Sequence, residues 1–405
     1  MNLLKTYKGL PKEIYILFFG RIINCIGSFI YPLLSLILTQ KIGLSIAEAG
    51  FIITLSGIFQ APCMLIGGKL VDILGSKKIL VIFESISAFL FIICGLIKPS
   101  HIMIVVIIAA SCVSSMAGSC FDTIVANITT DENRKSSFSL IYIGLNLGFA
   151  IGPAIGGFLL ANHLSIIFIG DAVTTLIAVA LVAFFIDEKN VLISHNDSVM
   201  EEKTEGSIFK VFKERPLLIY FSLLMLTFDI AYSQFSFSFP LQINKVFGDV
   251  NGAKYYGLLA SLNGVIVILL TPLITALTKK LRIISVMACG GLLYAASLAV
   301  CGFSNTIAAF FIIVVAYTTG EILISINSGT FIANLSPSSH RGRISSILPL
   351  IYGGGYMFGP TLMGQLTNTI GMTKSFIVIG AVSGCGALIM FLLNGMYDKL
   401  MKNNR

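Results

Sequence analysis

Six ionisable side chains lie inside long apolar segments of the chain, where charged groups are rare. They are one guanidinium and five carboxyl groups, at Arg21, Glu84, Asp122, Asp171, Asp229 and Glu321. A charged side chain at the centre of a bilayer costs about 2.5–3.5 kcal/mol on insertion scales, so it marks a functional position by default. Carboxylates bind protons and pair with cations, and a guanidinium pairs with anions. The sequence therefore predicts ion binding and proton exchange within its apolar part.

Two of these residues belong to polar helix faces. Arg21, Asn24 and Ser28 are spaced i, i+3 and i+7, so one face of a helix carries all three. A later segment repeats the arrangement with one acid and two serines, at Asp229, Ser233 and Ser236. Because a polar face is unfavourable against lipid, both faces are predicted to point inward and contact a ligand.

Glu321 is the first candidate for a proton-exchanging group, because its own apolar segment holds no basic residue. The alternative is a protonated acid held by hydrogen bonds. Asp122 is a second proton candidate, and Asp229 is predicted to act in both proton exchange and ligand binding. Two acids have other favoured interpretations: charge pairing between helices for Glu84, and a place near the outer mouth for Asp171.

Aromatic residues are frequent around Asp229 and in a later apolar segment. Four tyrosines are predicted to contact the ligand, at Tyr232, Tyr317, Tyr352 and Tyr356. Aromatic rings beside carboxylates suit a lipophilic cation, because the face of the ring attracts positive charge. The alternative is that half of the aromatic side chains in these segments face lipid.

The composition places these segments in a bilayer. Of the 405 residues, 56% are hydrophobic and only 11% are charged, whereas soluble domains carry about 25% charged residues. Crossing the hydrocarbon takes about 20 residues of helix. Twelve spans, numbered 1 to 12 below, are predicted at 12–38, 46–70, 78–97, 102–126, 137–160, 165–186, 216–241, 254–277, 283–303, 306–333, 344–366 and 373–396. The predicted fold is an all-α membrane protein.

The basic residues predict the orientation. Placing the N-terminus in the cytoplasm puts 21 of the 27 Lys and Arg residues on that side and five on the other, as the positive-inside rule requires. This orientation predicts a multi-pass protein of the cell membrane with both termini in the cytoplasm. The charged residues that give the net charge of +8 flank the membrane spans, so lipid is the expected partner and nucleic acid is not.

The two halves of the chain are related by a constant offset. A shift of 207 residues superposes Gly50 on Gly257, Arg134 on Arg341, and the pair Gly152-Pro153 on Gly359-Pro360. This repeat predicts two pseudo-symmetric six-helix bundles, 1–186 and 216–405, joined by a cytoplasmic linker at 187–215, with a site at the midplane. A shift of 208 pairs Arg21 with Asp229, which are predicted to face each other across that site. The alternative is a purely structural ion pair.

The segment 68–78, GKLVDILGSKK, resembles the G-x-L-A-D-R-x-G-R-[RK] signature of the major facilitator superfamily. The matching residues, which the resemblance assigns to conformational change, are Gly68, Asp72, Gly75, Lys77 and Lys78. Ile73 and Ser76 stand where the family has arginines. The resemblance implies a transporter that works by alternating access, with these residues in a cytoplasmic turn between spans 2 and 3.

Span 5 is similar to a motif of the antiporter branch of that family, G-x3-G-P-x2-G-G. Its residues are Gly148, Gly152, Pro153, Gly156 and Gly157, and span 11 repeats Gly359 and Pro360. The stripe of small residues predicts close helix packing, and the prolines predict hinges. The alternative is an ordinary glycine stripe of a membrane helix.

The stretch Gly320-Glu321-Ile322-Leu323, followed by Pro337 and Arg341-Gly342, resembles twelve-helix drug/proton antiporters. The resemblance implies proton-coupled efflux of hydrophobic, often cationic small molecules. The alternative is proton-coupled uptake of a sugar or organic anion, with Arg21 as the anion anchor.

Neither an enzyme nor a cofactor is expected. The cysteines and histidines lack the spacing of a metal site, no phosphate-binding loop occurs, and no Ser/His pair lies within the spans. A functional monomer that exchanges its substrate with protons is expected.

Overall fold

The computed structural model describes residues 7–187, 212–213, 215–336 and 341–394. Helices hold nearly all of these residues, and none of them lies in a β-strand. Each of the twelve predicted spans coincides with a helical segment. The all-α fold predicted from the sequence is confirmed.

Two of the first six spans are broken helices. Span 1 consists of Lys12–Gly27 and Ile30–Leu36 and ends in a π-helical turn, Ile37–Lys41. Span 4 consists of His101–Met116 and Cys120–Asn127. The continuous spans 2, 3, 5 and 6 are Ile46–Leu74, Ser76–Leu96, Asp131–Leu160 and Leu164–Phe185.

Spans 7 and 8 belong to one long helix, Leu217–Thr278, which bends at Gly248. Gly248 has a φ of 79°, a backbone conformation that glycine adopts without steric cost. Spans 9 to 12 are Ile283–Cys301, Ile307–Leu335, Arg341–Ile370 and Met372–Leu392. With the bent helix counted once and Arg341–Ile370 not among them, ten helices of the described chain are long and apolar enough to cross a membrane.

Large apolar side chains cover the outside of the helices. Leu65 is 72% exposed, Phe184 is 83% exposed and Leu392 is 78% exposed. Exposure of such side chains to water is unfavourable, whereas their contact with lipid tails is not. The surface therefore agrees with a multi-pass membrane protein.

The chain divides into two compact units. Unit 1 contains the described residues of Met1–Gly43, Leu55–Met200 and Phe247–Val265, and unit 2 contains those of Leu44–Thr54, Glu201–Val246 and Ile266–Arg405. The N-terminal part of span 2 thus belongs to unit 2, and the N-terminal part of span 8 belongs to unit 1. The predicted bundles 1–186 and 216–405 stay a prediction, because most of the linker 187–215 lies outside the described residues.

Each unit has its own apolar core. In unit 1 a cluster from spans 1, 3, 4, 5 and 6 includes the fully buried Ile14, Ile79 and Ile124. In unit 2 the rings of Phe221 and Phe331 stack with their centres 4.2 Å apart, joining spans 7 and 10. These cores fix the helices that carry the polar side chains.

Candidate functional sites in the two units

A cavity of about 430 Å³, the unit 1 cavity, lies among spans 1, 2, 3, 4 and 6. Arg21, Asn24 and Ser28 line it, and so do two carboxyl groups, Glu84 from span 3 and Asp171 from span 6. Further polar side chains of the lining are Gln60, Ser87, Ser111, Ser114, Ser115 and Thr175. The polar face predicted for span 1 therefore lines a polar cavity.

Arg21 is held against an aromatic ring. Its guanidinium carbon lies 5.0 Å from the centre of the Phe121 ring, just after the break in span 4. The Nε atom is buried and has no hydrogen-bond partner among the described residues. A buried guanidinium donor without an acceptor is costly, so an anionic group that moved next to Arg21 would be stabilised.

The break in span 1 is held by span 6. The Asp171 Oδ2 atom accepts a hydrogen bond from the Ile30 N–H at 3.5 Å, at the start of the second helical piece. Asn24 donates from Nδ2 to the Thr175 hydroxyl at 3.1 Å. A Cβ atom on Gly27 would overlap Thr174, so the two spans touch where span 1 is interrupted.

Glu84 reaches the same cavity from span 3. Its Oε1 accepts a hydrogen bond from the Ser114 hydroxyl of span 4 at 2.9 Å. Charge interactions connect it to Arg21 and to Asp171. Three ionisable side chains from three spans thus act on one another in unit 1.

A smaller cavity, the unit 2 cavity, has a volume of about 170 Å³. Asp229, Tyr232 and Tyr352 line it, as predicted ligand contacts. The remaining lining residues are Met225, Phe228, Tyr294, Ile324, Ser325 and Ser328. The cavity therefore combines one carboxyl group with aromatic rings and two hydroxyls.

Tyr232 connects this cavity to Glu321. The Tyr232 hydroxyl donates to Glu321 Oε1 at 3.4 Å, and its ring centre lies 5.6 Å from that of Tyr356. Glu321 and Tyr356 are half-buried and lie outside the cavity lining. Both predicted residues therefore adjoin the cavity through one tyrosine.

Tyr317 holds the backbone of span 7. Its side chain is fully buried, and its hydroxyl donates to the carbonyl oxygens of Ala231 at 3.2 Å and Tyr232 at 2.9 Å. Tyr294, Phe235 and Phe239 pack around its ring. Tyr317 thus supports the cavity wall from behind instead of lining it.

Three further predicted side chains lie outside both cavities. Ser233 is buried and donates to the Ile230 carbonyl at 2.8 Å, and Ser236 donates to the Ser233 carbonyl at 3.3 Å. Asp122 is exposed in the short helix after the break in span 4. Their roles in binding and proton exchange stay predictions.

The turn between spans 2 and 3 contains the first family motif. Gly75 has a φ of 86° there, and the Lys77 ammonium donates to the Ile186 carbonyl at 2.7 Å, capping the end of span 6. Asp72 and Lys78 are exposed. A Cβ atom on Gly68 would meet no atom within 4 Å.

The glycine stripe of span 5 packs directly on span 1. Cβ atoms on Gly148, Gly152 and Gly156 would come within 3 Å of span 1 atoms on both sides of its break. A Cβ atom on Gly157 would overlap the backbone of span 8. In span 11, Gly359 packs on Ser233 of span 7. Each stripe thus supports the span that carries the polar face of its unit.

Glu84 and Asp171 are the lining residues to which the sequence analysis gave other roles. Asp171 and Thr175 are spaced i, i+4 within an apolar helix, the same signal that identified the polar face of span 1. Glu84 shares a helix face with Ser87 at i+3, which lines the same cavity, but its hydrogen-bond partner Ser114 belongs to span 4. Only the packing of the two helices brings them together.

Broken membrane helices whose polar faces line cavities define a multi-pass membrane transporter, because irregular backbone at membrane depth is tolerated only where protein or a cavity covers it. The family model described as Major Facilitator Superfamily matches residues 17–282 and 249–399. The chain belongs to this superfamily, as its motifs predict.

Relatives of similar length support the assignment. A Na(+), Li(+), K(+)/H(+) antiporter of Planococcus maritimus is 23% identical over 402 residues, covering 91% of this chain and 92% of the relative. Multidrug resistance protein MdtH of Edwardsiella ictaluri is 24% identical over 381 residues, covering 88% and 91%.

Solved structures show the same fold. A peptide transporter in complex with sulfate has a TM-score of 0.79 at 17% identity and covers 96% of each chain. The nucleoside transporter NupG has a TM-score of 0.79 at 15% identity, covering 95% of this chain and 99% of its own. At these identities the likeness concerns the fold alone.

Proposed function

We propose that the protein exports hydrophobic, often cationic small molecules in exchange for protons, by alternating access. The unit 2 cavity is the observation that supports this most, because it places the Asp229 carboxyl group among aromatic rings. Within the described residues no hydrogen bond or ion pair occupies that carboxyl group. A carboxylate and π faces together favour a cation with an apolar body.

The volumes of the two cavities suit different parts of substrate binding. Pockets for drug-sized molecules usually measure about 300–1,000 Å³. The unit 1 cavity, at about 430 Å³, falls in that range, and the unit 2 cavity, at about 170 Å³, accommodates one ring or one ammonium group. The unit 2 cavity therefore serves to recognise a charged or aromatic part of a larger molecule.

Glu321 and Asp229 are proposed to carry the exchanged protons. The hydrogen bond from Tyr232 to Glu321 gives the two acids a shared neighbour, because Tyr232 also lines the cavity around Asp229. A cation that enters beside Asp229 favours its ionised form, so binding expels a proton. Coupling requires that each ligand favours one facing of the transporter over the other.

The other parts of the proposal rest on the sequence. The excess of Lys and Arg in alternate loops supports cytoplasmic termini in the cell membrane. The protein acts as a monomer, moves its substrate without chemical conversion and uses no cofactor. The predicted approach of Arg21 to Asp229 also stays a proposal, since the two residues belong to different units.

Arg21 favours a second function, proton-coupled uptake of a sugar or an organic anion. Its buried Nε atom without an acceptor, in a cavity of sufficient size, would suit a carboxylate ligand. The two functions differ in the charge of the substrate and in the direction of transport.

Inverted membrane vesicles test the choice. Tetraphenylphosphonium, a monosaccharide mixture, a dicarboxylic acid and the chlorides of Na⁺, Li⁺ and K⁺ are added separately, and proton movement is followed with a fluorescent pH probe. The proposal expects proton movement with tetraphenylphosphonium only in vesicles that contain the protein. A response to the sugars or the acid alone would establish the second function instead, and a response confined to alkali cations would contradict both.

A further inference from the structure

We propose that Glu84 is a proton-binding residue of the unit 1 cavity and that Arg21 sets its charge. The inference rests on the proposed function only for what the bound proton is used for, because the proton binding itself involves residues of unit 1 alone. It adds a group in span 3 to the acids of spans 7 and 10.

The position of Glu84 gives the first argument. Its side chain lines a polar cavity, and the only hydrogen bond to it from a described residue is the one donated by Ser114. A hydroxyl group serves both protonation states, because it donates to a carboxylate and accepts from a carboxylic acid. Ser114 therefore allows Glu84 to gain and lose a proton without leaving a partner unsatisfied.

The charges around Glu84 give the second argument. The ionisable groups that act on it from the packed spans are Arg21 of span 1, Cys120 of span 4 and Asp171 of span 6. With both acids ionised and the thiol neutral, the cavity carries one net negative charge. Protonation of Glu84 by water from the cavity makes the cavity neutral, and its deprotonation returns the proton to water.

The two acids differ in their tie to the backbone. Asp171 accepts from the Ile30 N–H at the break in span 1, so protonation there would weaken the hold on the helix. Glu84 accepts no backbone hydrogen bond from a described residue and accepts only the one from the Ser114 hydroxyl. Glu84 is therefore the acid of this cavity whose charge can change without breaking the hydrogen bond at the break in span 1.

Arg21 gives the third argument. Its ring contact with Phe121 fixes the guanidinium, while its Nε atom has no acceptor in the described chain. Ionised Glu84 is attracted to this donor, and protonated Glu84 is not. A small movement of span 1 toward span 3 would thus follow the loss of the proton.

Infrared difference spectroscopy of the purified full-length protein, with its glutamates labelled with ¹³C at the carboxyl carbon, tests the proposal without any substrate. Between acidic and alkaline buffer we expect a labelled C=O band of a protonated glutamic acid that disappears on titration. One component of this band should be missing in Glu84→Gln and retained in the control Glu132→Gln, which changes an exposed glutamate; the other glutamates, Glu321 among them, keep their own signals in both variants. In Arg21→Gln the midpoint should move to higher pH, because a cation that favours the ionised form is removed.

Glu84→Asp is a second variant that keeps the test informative if Glu84→Gln does not fold. It keeps a carboxyl group and should lose the same component of the labelled glutamate band while gaining an unlabelled aspartic acid band. A labelled band that is unchanged in both Glu84 variants, or a midpoint unchanged in Arg21→Gln, would overturn the proposal. If the band behaves as expected while vesicles transport no tetraphenylphosphonium, the proton site stands and the proposed export function fails.

Discussion

A side chain on Gly257 would overlap the carbonyl oxygen of Pro153, so span 8 meets span 5 backbone to backbone. The same contact recurs 207 residues away, where Gly50 of span 2 meets the Pro360 carbonyl of span 11. Two hydrogen bonds to hydroxyl groups are related by the same offset of 207 residues. The Ala154 N–H donates to Ser261 at 3.2 Å, and Thr361 donates to Thr54 at 2.8 Å.

Gly257→Ala is expected to impair the protein, because a methyl group cannot fit against a backbone oxygen without moving a helix. Overpacking of this kind costs about 1–3 kcal/mol, so the thermal unfolding temperature and the transport rate should both fall. Gly353→Ala is the matched control, since a Cβ atom there meets nothing within 4 Å. Equal behaviour of the two variants would show that the contact is dispensable.

Lys77→Ala should destabilise the C-terminal end of span 6, because the Lys77 ammonium caps the Ile186 carbonyl. Loss of a charged hydrogen bond costs about 1.5–3 kcal/mol. The neighbouring Lys78 is exposed, and Lys78→Ala should leave thermal unfolding unchanged. If the two lysine variants unfold alike, the family motif does not act through this cap.

Asp171→Ala should loosen the break in span 1, whereas Asp171→Asn should preserve most of the stability. Asparagine keeps an oxygen that can accept from the Ile30 N–H, and alanine does not. The expected difference resembles that of a helix N-cap, about 1 kcal/mol, and thermal unfolding measures it. A loss as large in the asparagine variant would instead assign the stability to the negative charge.

Tyr317→Phe removes the hydroxyl proton that the carbonyl oxygens of Ala231 and Tyr232 share and keeps the packed ring. We expect weaker ligand binding and a stability loss of about 1 kcal/mol. Tyr220→Phe, at an exposed position, should change neither quantity. Binding that survives intact in Tyr317→Phe would contradict the supporting role of this tyrosine.

Asp229→Asn and Glu321→Gln should each abolish or uncouple transport, because an amide cannot exchange a proton at neutral pH. Proton movement and substrate movement are measured in the same vesicles, with Glu132→Gln as the control and protein amount determined by immunoblot. Proton-coupled export that persists in both variants would refute the assigned roles.

Periodicity predicted the helices and the polar faces well, because burial in a membrane leaves a strong pattern in each helix. Arg21, Asn24 and Ser28 share a face by spacing alone, and they line one cavity. Tyr317 and Ser233 share helix faces with residues that line the unit 2 cavity, yet both lie outside its lining. Spacing gives the side of a helix, and only helix packing decides whether that side meets a cavity or another helix.

The interactions of Glu84 show the other limit. Its partners belong to spans 1, 4 and 6, so no local pattern on span 3 could reveal them. The breaks in spans 1 and 4 were likewise not predicted, since no proline marks the residues Gly27 to Phe29 or Ala117 to Ser119. These breaks depend on contacts with neighbouring helices.

The reciprocal glycine contacts bear on the history of the chain. Each joins a helix encoded in one half of the gene to a helix encoded in the other, and both use equivalent positions. A contact in which position i of one copy meets position j of the other, and the reverse, is the rule for a two-fold symmetric dimer. Duplication and fusion of a gene for a six-helix protein would produce such a repeat, because both copies inherit the same contact residues.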